Sequence, residues 1–291
     1  MYKIDIAVIG ASSVIAQDFI KLARNSGKNV IEVTSRIEPN SPDNVVIWDY
    51  KTDLPILIKE ASKIVVFSKF SSLKDCYIAV KKIKSAFSND IEIYNISSVA
   101  VISKPRSLIA RLLFKGDDYI RMKKFADKQF QANFNNVYKI YPGLITNNTK
   151  LGWEKFLINL SQYDVIYGLD NINTKSNIIT LDLFSESLLN YIFLTGEKKL
   201  KKIIIPDKSV QWSDILKDKK LQKSNGNIFF DSRIKNLIFI IITSRLIPDF
   251  ISLSIFNLLR KNLKRNSYNT NNSLLLNIDG MTRFYINSEI E

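Results

Sequence analysis

Tyr119 and Lys123 stand four residues apart at the head of a segment with helical spacing, so their side chains share one face. A phenol titrates near pH ~10 and is a poor base at neutral pH. An ammonium one turn away stabilises the phenolate and lowers that value. The pair can therefore donate and accept a proton without help from histidine. That matters here, because the 291-residue chain has no histidine. A Ser-His-Asp triad, His-ligated zinc and imidazole bases are all excluded. Ser97-Ser98 follows a strand-like run, and a serine hydroxyl opposite the phenol would hold a carbonyl or alcohol oxygen. The single cysteine, Cys76, excludes an intrachain disulfide and argues against a thiolate metal site; no metal is expected.

A second group of residues suits a dinucleotide. The run VIGASSVIA, 8–16, passes from a strand into a helix. A helix start offers free N–H groups and a positive dipole end, which suit a pyrophosphate. Gly10 permits the tight turn, and Ser12 and Ser13 can cap the helix or donate to phosphate. The next strand ends at Ser35-Arg36. An acid at that point would hold a ribose 2′-hydroxyl, whereas an arginine accommodates a 2′-phosphate. Arg36 therefore favours NADP, with NAD as the alternative, and Glu32 lies inside the strand where it is less well placed. An oxidised nicotinamide beside Tyr119 would lower the phenol's pKa further. Each signal alone also fits an ordinary capped turn, a surface arginine or a chance YxxxK; their order along the chain joins them.

The elements that must position these groups alternate. Strands are expected over 3–9, 29–34, 44–48, 64–68, 91–96 and 137–141, and helices over 13–25, 54–61, 72–87 and 118–133. Gly27 supplies a helix stop. This βαβ pattern predicts an α/β protein with a parallel sheet covered by helices on both faces. Such sheets bind ligands beyond the carboxyl ends of their strands. The residues there are Gly10 to Ile15, including Val14, then Ser35-Arg36, Asp49-Tyr50, Ser68-Lys69, Ser97-Ser98 and Pro142-Gly143. Beyond about 150 the regularity fades. Helices are expected over 153–160, 182–194 and 237–263, short strands over 178–181 and 203–205, and a polar loop over 266–273.

On these residues the chain resembles the short-chain dehydrogenases/reductases, in the branch of NAD-dependent nucleotide-sugar epimerases, dehydratases and reductases. The matching features are Gly10-Ala11-Ser12-Ser13, Asp49, Ile96-Ser97-Ser98-Val99-Ala100-Val101, Tyr119-Ile120-Arg121-Met122-Lys123 and Tyr141-Pro142-Gly143. They span roughly 1–150, with weaker similarity near 177–182. The resemblance implies a Rossmann-type doubly wound parallel sheet over 1–150 and a smaller C-terminal substrate-binding lobe over 151–291, intertwined as one unit. It implies Tyr119 as acid/base, Lys123 on the nicotinamide ribose and Ser98 on the reacting oxygen. Asp49 and Tyr50 would lie by the adenine and Pro142 beside the nicotinamide. A homodimer is the expected assembly.

The departures are informative. Ser13 or Val14, then Ala16, replace two further glycines of the family's turn, and Val14 would crowd a pyrophosphate there. Phe67-Ser68-Lys69-Phe70 replaces Asn-Ala-Gly or Leu-Ala-Ala; Lys69 would meet either a phosphate or solvent. The dehydratases of the branch carry Thr-Asp-Glu where this chain has Ser98-Val99-Ala100, so dehydration is disfavoured. The expected activity is reduction of a keto group or epimerisation of a hydroxyl on a sugar, nucleotide-linked, in glycan or polysaccharide synthesis. Lys198, Lys199, Lys201 and Lys202 could meet a diphosphate or water.

The net charge is +14, and 16 Lys/Arg against 6 Asp/Glu fall between 196 and 265. No nucleic-acid motif accompanies them, so nucleic acid is not expected as a partner. The N-terminus lacks the pattern of a signal peptide, and the apolar run 237–256 is broken by Arg245, Pro248 and Asp249. A cytoplasmic protein is expected. Two alternatives remain: a non-catalytic dinucleotide sensor, fed by Val14, Ala16 and Lys69, and a membrane-peripheral reductase of a lipid-linked sugar, held through 237–265.

Overall fold

The computed structural model describes residues 4–35, 44–68, 70, 72–102, 118–147, 165–168, 175–194, 199–205, 207–211, 228–230 and 273–276. The expected helices over 153–160 and 237–263, the basic segment 237–265, and Arg36, Lys69 and Lys198 lie outside the described residues. The chain divides into two compact units. The first comprises Met1–Val101, Ile120–Ile145 and Ile179–Pro206, and the second the remainder.

The first unit is built on seven strands: β1 (Ile4–Ile9), β2 (Val30–Thr34), β3 (Val45–Ile47), β4 (Ala61–Val66), β5 (Glu92–Ile96), β6 (Asn136–Pro142) and β10 (Lys202–Ile205). Their order is β10-β6-β5-β4-β1-β2-β3, and every pairing is parallel. This is the Rossmann-type doubly wound order, with its switch point between β1 and β4. The central strands read as apolar runs without alternation because both faces are covered; every residue of β2 is buried.

The helices of this unit are α1 (Val14–Asn25), α2 (Ile56–Lys59), α3 (Leu73–Ala86), α4 (Val99–Ile102), α5 (Asp118–Asn133) and α6 (Leu181–Ile192). Side-chain caps fix three of the starts. Ser13 Oγ accepts from Ala16 N at 3.1 Å, Ser72 Oγ from Asp75 N at 3.0 Å, and Thr180 Oγ1 from Leu183 N at 3.4 Å. α1 ends where Gly27 adopts φ +74. Its buried face is Ala16, Phe19, Ile20 and Ala23, the large members contributing about 1.5–3 kcal/mol each. Cys76 lies in the core on α3, where burial pushes its thiol up to about 12; it is no nucleophile.

Strand four begins at Ala61, three residues before the apolar run suggested, because Ala61 and Lys63 already pair with Ile4 and Ile6. Thr180 caps α6, so the strand expected over 178–181 instead ends there; it is β9 (Lys175–Thr180). The sheet is not complete within the first 150 residues. The segment Ile179–Pro206 brings α6, whose Ser185 Oγ donates to Asp18 of α1 at 2.7 Å, and the edge strand β10. The other described strands are β7 (Leu144–Thr146), β8 (Val165–Gly168), β11 (Lys208–Gln211), β12 (Ile228–Phe230) and β13 (Ser273–Leu276). β11 runs antiparallel to β9, and β8 lies parallel between β12 and β13. No helix among the described residues is long and apolar enough to cross a membrane.

At the amino end of β5, Glu92 ties this late segment to the sheet. Its carboxylate pairs with Lys63, accepts from Tyr94 OH at 3.0 Å and lies 3.5 Å from Lys199 Nζ. Lys199 in turn donates to Tyr94 OH at 2.6 Å and to Ile192 O at 2.8 Å. Burial alone would push the Glu92 carboxyl up. Lys63, Tyr94 and Lys199 outweigh that and hold it below its usual 4.5. A depressed carboxyl stabilises the fold above its unfolded value and loses that contribution as the pH falls through its folded value. Glu92→Gln should therefore melt lower than the native chain at pH 7, and the gap should shrink below about pH 4.5. Thermal unfolding of both proteins from pH 7 to pH 3 checks this; a gap independent of pH would remove Glu92 from the account.

Candidate functional site

The turn after β1 is shaped by Gly10. Its φ is +84, and Gly10 N and Ala11 N both donate to Val33 O, at 3.0 and 3.1 Å. A Cβ at Gly10 would lie 2.7 Å from Ser68 N and 2.9 Å from Ser68 Cα. Both the backbone conformation and the approach of the β4 tip thus require glycine. Ser13 satisfies Ala16 N with its hydroxyl and Gln17 N with its carbonyl. Val14 and Ile15 occupy the first two helical positions, where N–H groups have no intrahelical acceptor. This is the anion-binding geometry of a helix start. Ser12 is exposed beside it. Val14 leaves 46% of its surface exposed, so its side chain is not packed into the core beneath the turn.

Glu32 is removed from any ligand role by its own neighbours. It is buried on β2, and its carboxylate pairs with Arg24 at 2.7 Å and accepts from Gln17 Nε2 at 2.7 Å. Gln17 also donates to Ala11 O at 2.8 Å, so one amide braces the glycine turn against β2. Sequence reasoning missed Gln17; its position one turn after Ser13 was the available signal. Thr34 and Ser35 form the described tip of β2, and neither is acidic.

Asp49 and Tyr50 follow β3. The Asp49 carboxylate is exposed and accepts from Lys51 N at 2.9 Å and Thr52 N at 3.4 Å. The Lys51 N–H above all holds its pKa below the usual carboxyl value. Tyr50 has φ +71, a conformation uncommon for a residue with a side chain. Its ring packs edge-on against Trp48 and tilted against Phe70, and its hydroxyl lies 2.8 Å from Ser68 Oγ. Burial raises the Tyr50 pKa. Ser68, which sequence reasoning took only as a strand-end residue, is where the glycine turn and Tyr50 meet.

Lys123 reaches the same place from α5. It is buried, and its Nζ donates to Ile96 O at 2.7 Å and to Ser68 O at 3.4 Å. The ammonium is thus anchored at the carboxyl ends of both β4 and β5, beside Ser97-Ser98. Both serines are buried; Ser97 Oγ donates to Asp127 Oδ2 at 3.0 Å, and Ser98 precedes α4, with Val101 N donating to Ser98 O. Val99, the first residue of α4, is fully buried. Pro142 is buried at the end of β6, and Gly143 N donates to Ile205 O. Tyr119 belongs to the first turn of α5, one helical turn before Lys123; its side chain lies outside the described residues, as do Arg36 and Lys69. The structure brings Gly10, Tyr50, Ser68 and Lys123 together. Asp49 turns its carboxylate to its own loop.

Neither a protein-family profile nor a curated protein matches the chain. Solved structures do. dTDP-glucose 4,6-dehydratase from Bacillus anthracis str. Ames, in complex with NAD, superposes with a TM-score of 0.60 at 12% identity, covering 79% of this chain and 85% of that one. UDP-N-acetylglucosamine 4-epimerase from Bacillus cereus gives 0.55 at 14% identity, over 89% and 97%. MoeE5 in complex with UDP-glucuronic acid and NAD gives 0.58 at 14% identity, over 78% and 85%. The chain has the fold of these proteins. They fall in the class to which the sequence motifs pointed, the NAD-dependent nucleotide-sugar epimerases and dehydratases.

Gly10→Ala forces both a left-handed alanine and a clash with the β4 backbone. It should cost about 1–3 kcal/mol of stability, read by denaturant unfolding. An alanine variant as stable as the native chain would mean that the turn and the β4 tip are not held this close.

Proposed function

We propose that the chain is an NAD(P)-dependent oxidoreductase or epimerase of a sugar, nucleotide-linked, in which Ser98, Tyr119 and Lys123 do the chemistry and NADP is the preferred cofactor. The observation that carries this reading is the seat of Lys123. A buried ammonium at the tips of β4 and β5 is costly unless it is hydrogen-bonded, and two strand-end carbonyls hold it there.

The residues fit a dinucleotide in three respects. The glycine turn and the N–H groups of Val14 and Ile15 suit a pyrophosphate. Tyr50 and Asp49 flank the turn on the side of β3, where the adenosine half would lie. Lys123 lies toward β5, where the nicotinamide ribose would lie. When bound, the nicotinamide supplies the hydride acceptor or donor. The chain's own contribution is the proton. Tyr119 takes it from, or returns it to, the sugar oxygen; Lys123 lowers the phenol's pKa from one turn away; Ser98 donates to the same oxygen. Dehydration needs an additional acid and base, and the buried Val99 leaves none beside Ser98.

For the choice of cofactor, Glu32 is spent on Arg24 and Gln17, so it is not the acid that would hold a free 2′-hydroxyl. Arg36, two residues past the end of β2 in the sequence, supports NADP, because a guanidinium at that point would suit a 2′-phosphate.

Tyr119→Phe should lower turnover of a keto-sugar nucleotide by about 10²–10⁴-fold while NADPH affinity stays within about threefold. Survival of activity in that variant would overturn the catalytic assignment. Arg36→Ala should weaken NADPH by about tenfold, the worth of one charge-assisted contact, and leave NADH unchanged. Fluorescence titration with both nucleotides decides this, and a native preference for NADH would contradict it.

A further inference from the structure

Asp127 is buried one helical turn after Lys123, and no apolar core needs a carboxylate there. Its oxygens accept three neutral donors: Asn95 Nδ2 on Oδ1 at 2.7 Å, and Ser97 Oγ and Tyr141 OH on Oδ2 at 3.0 and 3.1 Å. Asn95 and Ser97 are two apart on β5, so both side chains leave the same face of the sheet. Between them lies Ile96, whose carbonyl takes the Lys123 ammonium. α5 therefore grips three consecutive residues at the carboxyl end of β5, Asn95 and Ser97 by their side chains and Ile96 by its backbone. Tyr141 adds β6 to the grip. Each of the hydroxyl donors stands directly before a candidate site residue, Ser97 before Ser98 and Tyr141 before Pro142.

We propose that Asp127 is a positioning residue: by clamping Asn95, Ser97 and Tyr141 it sets the register of α5 along β5 and so places Lys123 against Ser98 and Pro142, the half of the site that would receive a nicotinamide. The inference rests on the dinucleotide reading above and adds to it a residue that touches no ligand. Apolar packing alone would hold α5 to the sheet, but it tolerates sliding. Three directed hydrogen bonds to one carboxylate do not. The adenosine half would be built from Gly10, α1 and Tyr50, whereas the hydrogen bonds of Asp127 go to Asn95, Ser97 and Tyr141.

That division gives the test. Native chain, Asp127→Ala and Asp127→Asn are titrated with NADPH and, in competition with it, with adenosine 2′,5′-bisphosphate, which lacks the nicotinamide and its ribose, while the emission of the bound dihydronicotinamide is recorded. Asp127→Ala should weaken NADPH by about tenfold and abolish its emission change, with the fragment's affinity unmoved. Asp127→Asn keeps the shape; its oxygen still accepts from Asn95 and its amide can donate to both hydroxyls, so it should restore native binding and emission. Equal weakening of both ligands, or no change in either, would overturn the proposal. Should Asp127→Ala not give a cooperative melt, Tyr141→Phe combined with Ser97→Ala carries the same test: the split between NADPH and the fragment supports the clamp, and its absence overturns it. A native chain that binds neither ligand would instead reject the dinucleotide reading, and the clamp's role with it.

Discussion

The site turns on one buried ammonium. Lys123 is inside the protein, and water no longer solvates its charge. Carbonyls at the carboxyl ends of β4 and β5, those of Ser68 and Ile96, do that work instead. Because the two acceptors are on adjacent parallel strands, the ammonium fixes where α5 lies relative to the switch point between β1 and β4. The Ser68 carbonyl that it takes belongs to the residue that also presses on Gly10 and meets Tyr50. The glycine turn after β1 and the helix α5 are thus referred to a single residue. Glycine at 10 is the condition for that closeness, since any side chain there would push the β4 tip away.

The sheet was legible in the sequence because its strands are buried on both faces. Runs such as Ile6–Ile9 or Ile93–Ile96 cannot be mistaken for amphipathic surface, and Ser13, Ser72 and Gly27 marked helix boundaries by chemistry that is local in the chain. What was not legible depends on residues distant in sequence. Lys63 reads as the polar edge of a loop until Glu92 is seen beside it. Ile179–Pro206 reads as part of a C-terminal half until α6 is seen on α1 and β10 on β6. The strand-end positions did collect the site, since parallel topology alone delivers them to one edge. The braces behind them, Gln17 on Glu32 and Asp127 on β5 and β6, left no motif, because a hydrogen bond across elements has no fixed spacing.

The two ends of the sheet are held by different chemistry. At the amino end, Glu92 is partly exposed and surrounded by cations and phenols, with the rings of Tyr94 and Tyr138 stacked at 4.9 Å. Such a cluster tolerates rearrangement, because water and several lysines can substitute for one another. At the carboxyl end, Asp127 has no such latitude. It is buried, burial raises its pKa, and its donors are neutral groups that weaken that rise without reversing it. Burying a carboxyl group under those conditions costs stability. If the carboxyl edge works as proposed, geometric definition at that edge is the compensating return.

The absence of histidine narrows how that edge can work. Imidazole would supply a base near neutral pH without special surroundings, whereas a phenol needs a neighbouring positive charge to titrate in the same range. The charge must be close to the phenol and must not be neutralised by a carboxylate of its own. Lys123 Nζ donates to the carbonyl oxygens of Ile96 and Ser68, which orient the ammonium without adding a negative charge of their own. Asp127, the acid one turn further along α5, is turned instead onto β5 and β6, where amide and hydroxyl donors occupy it. Acid and ammonium thus face different strands from one helix, Lys123 reaching the ends of β4 and β5 and Asp127 reaching β5 and β6, and under the proposed function the first would serve Tyr119 while the second holds the helix in place.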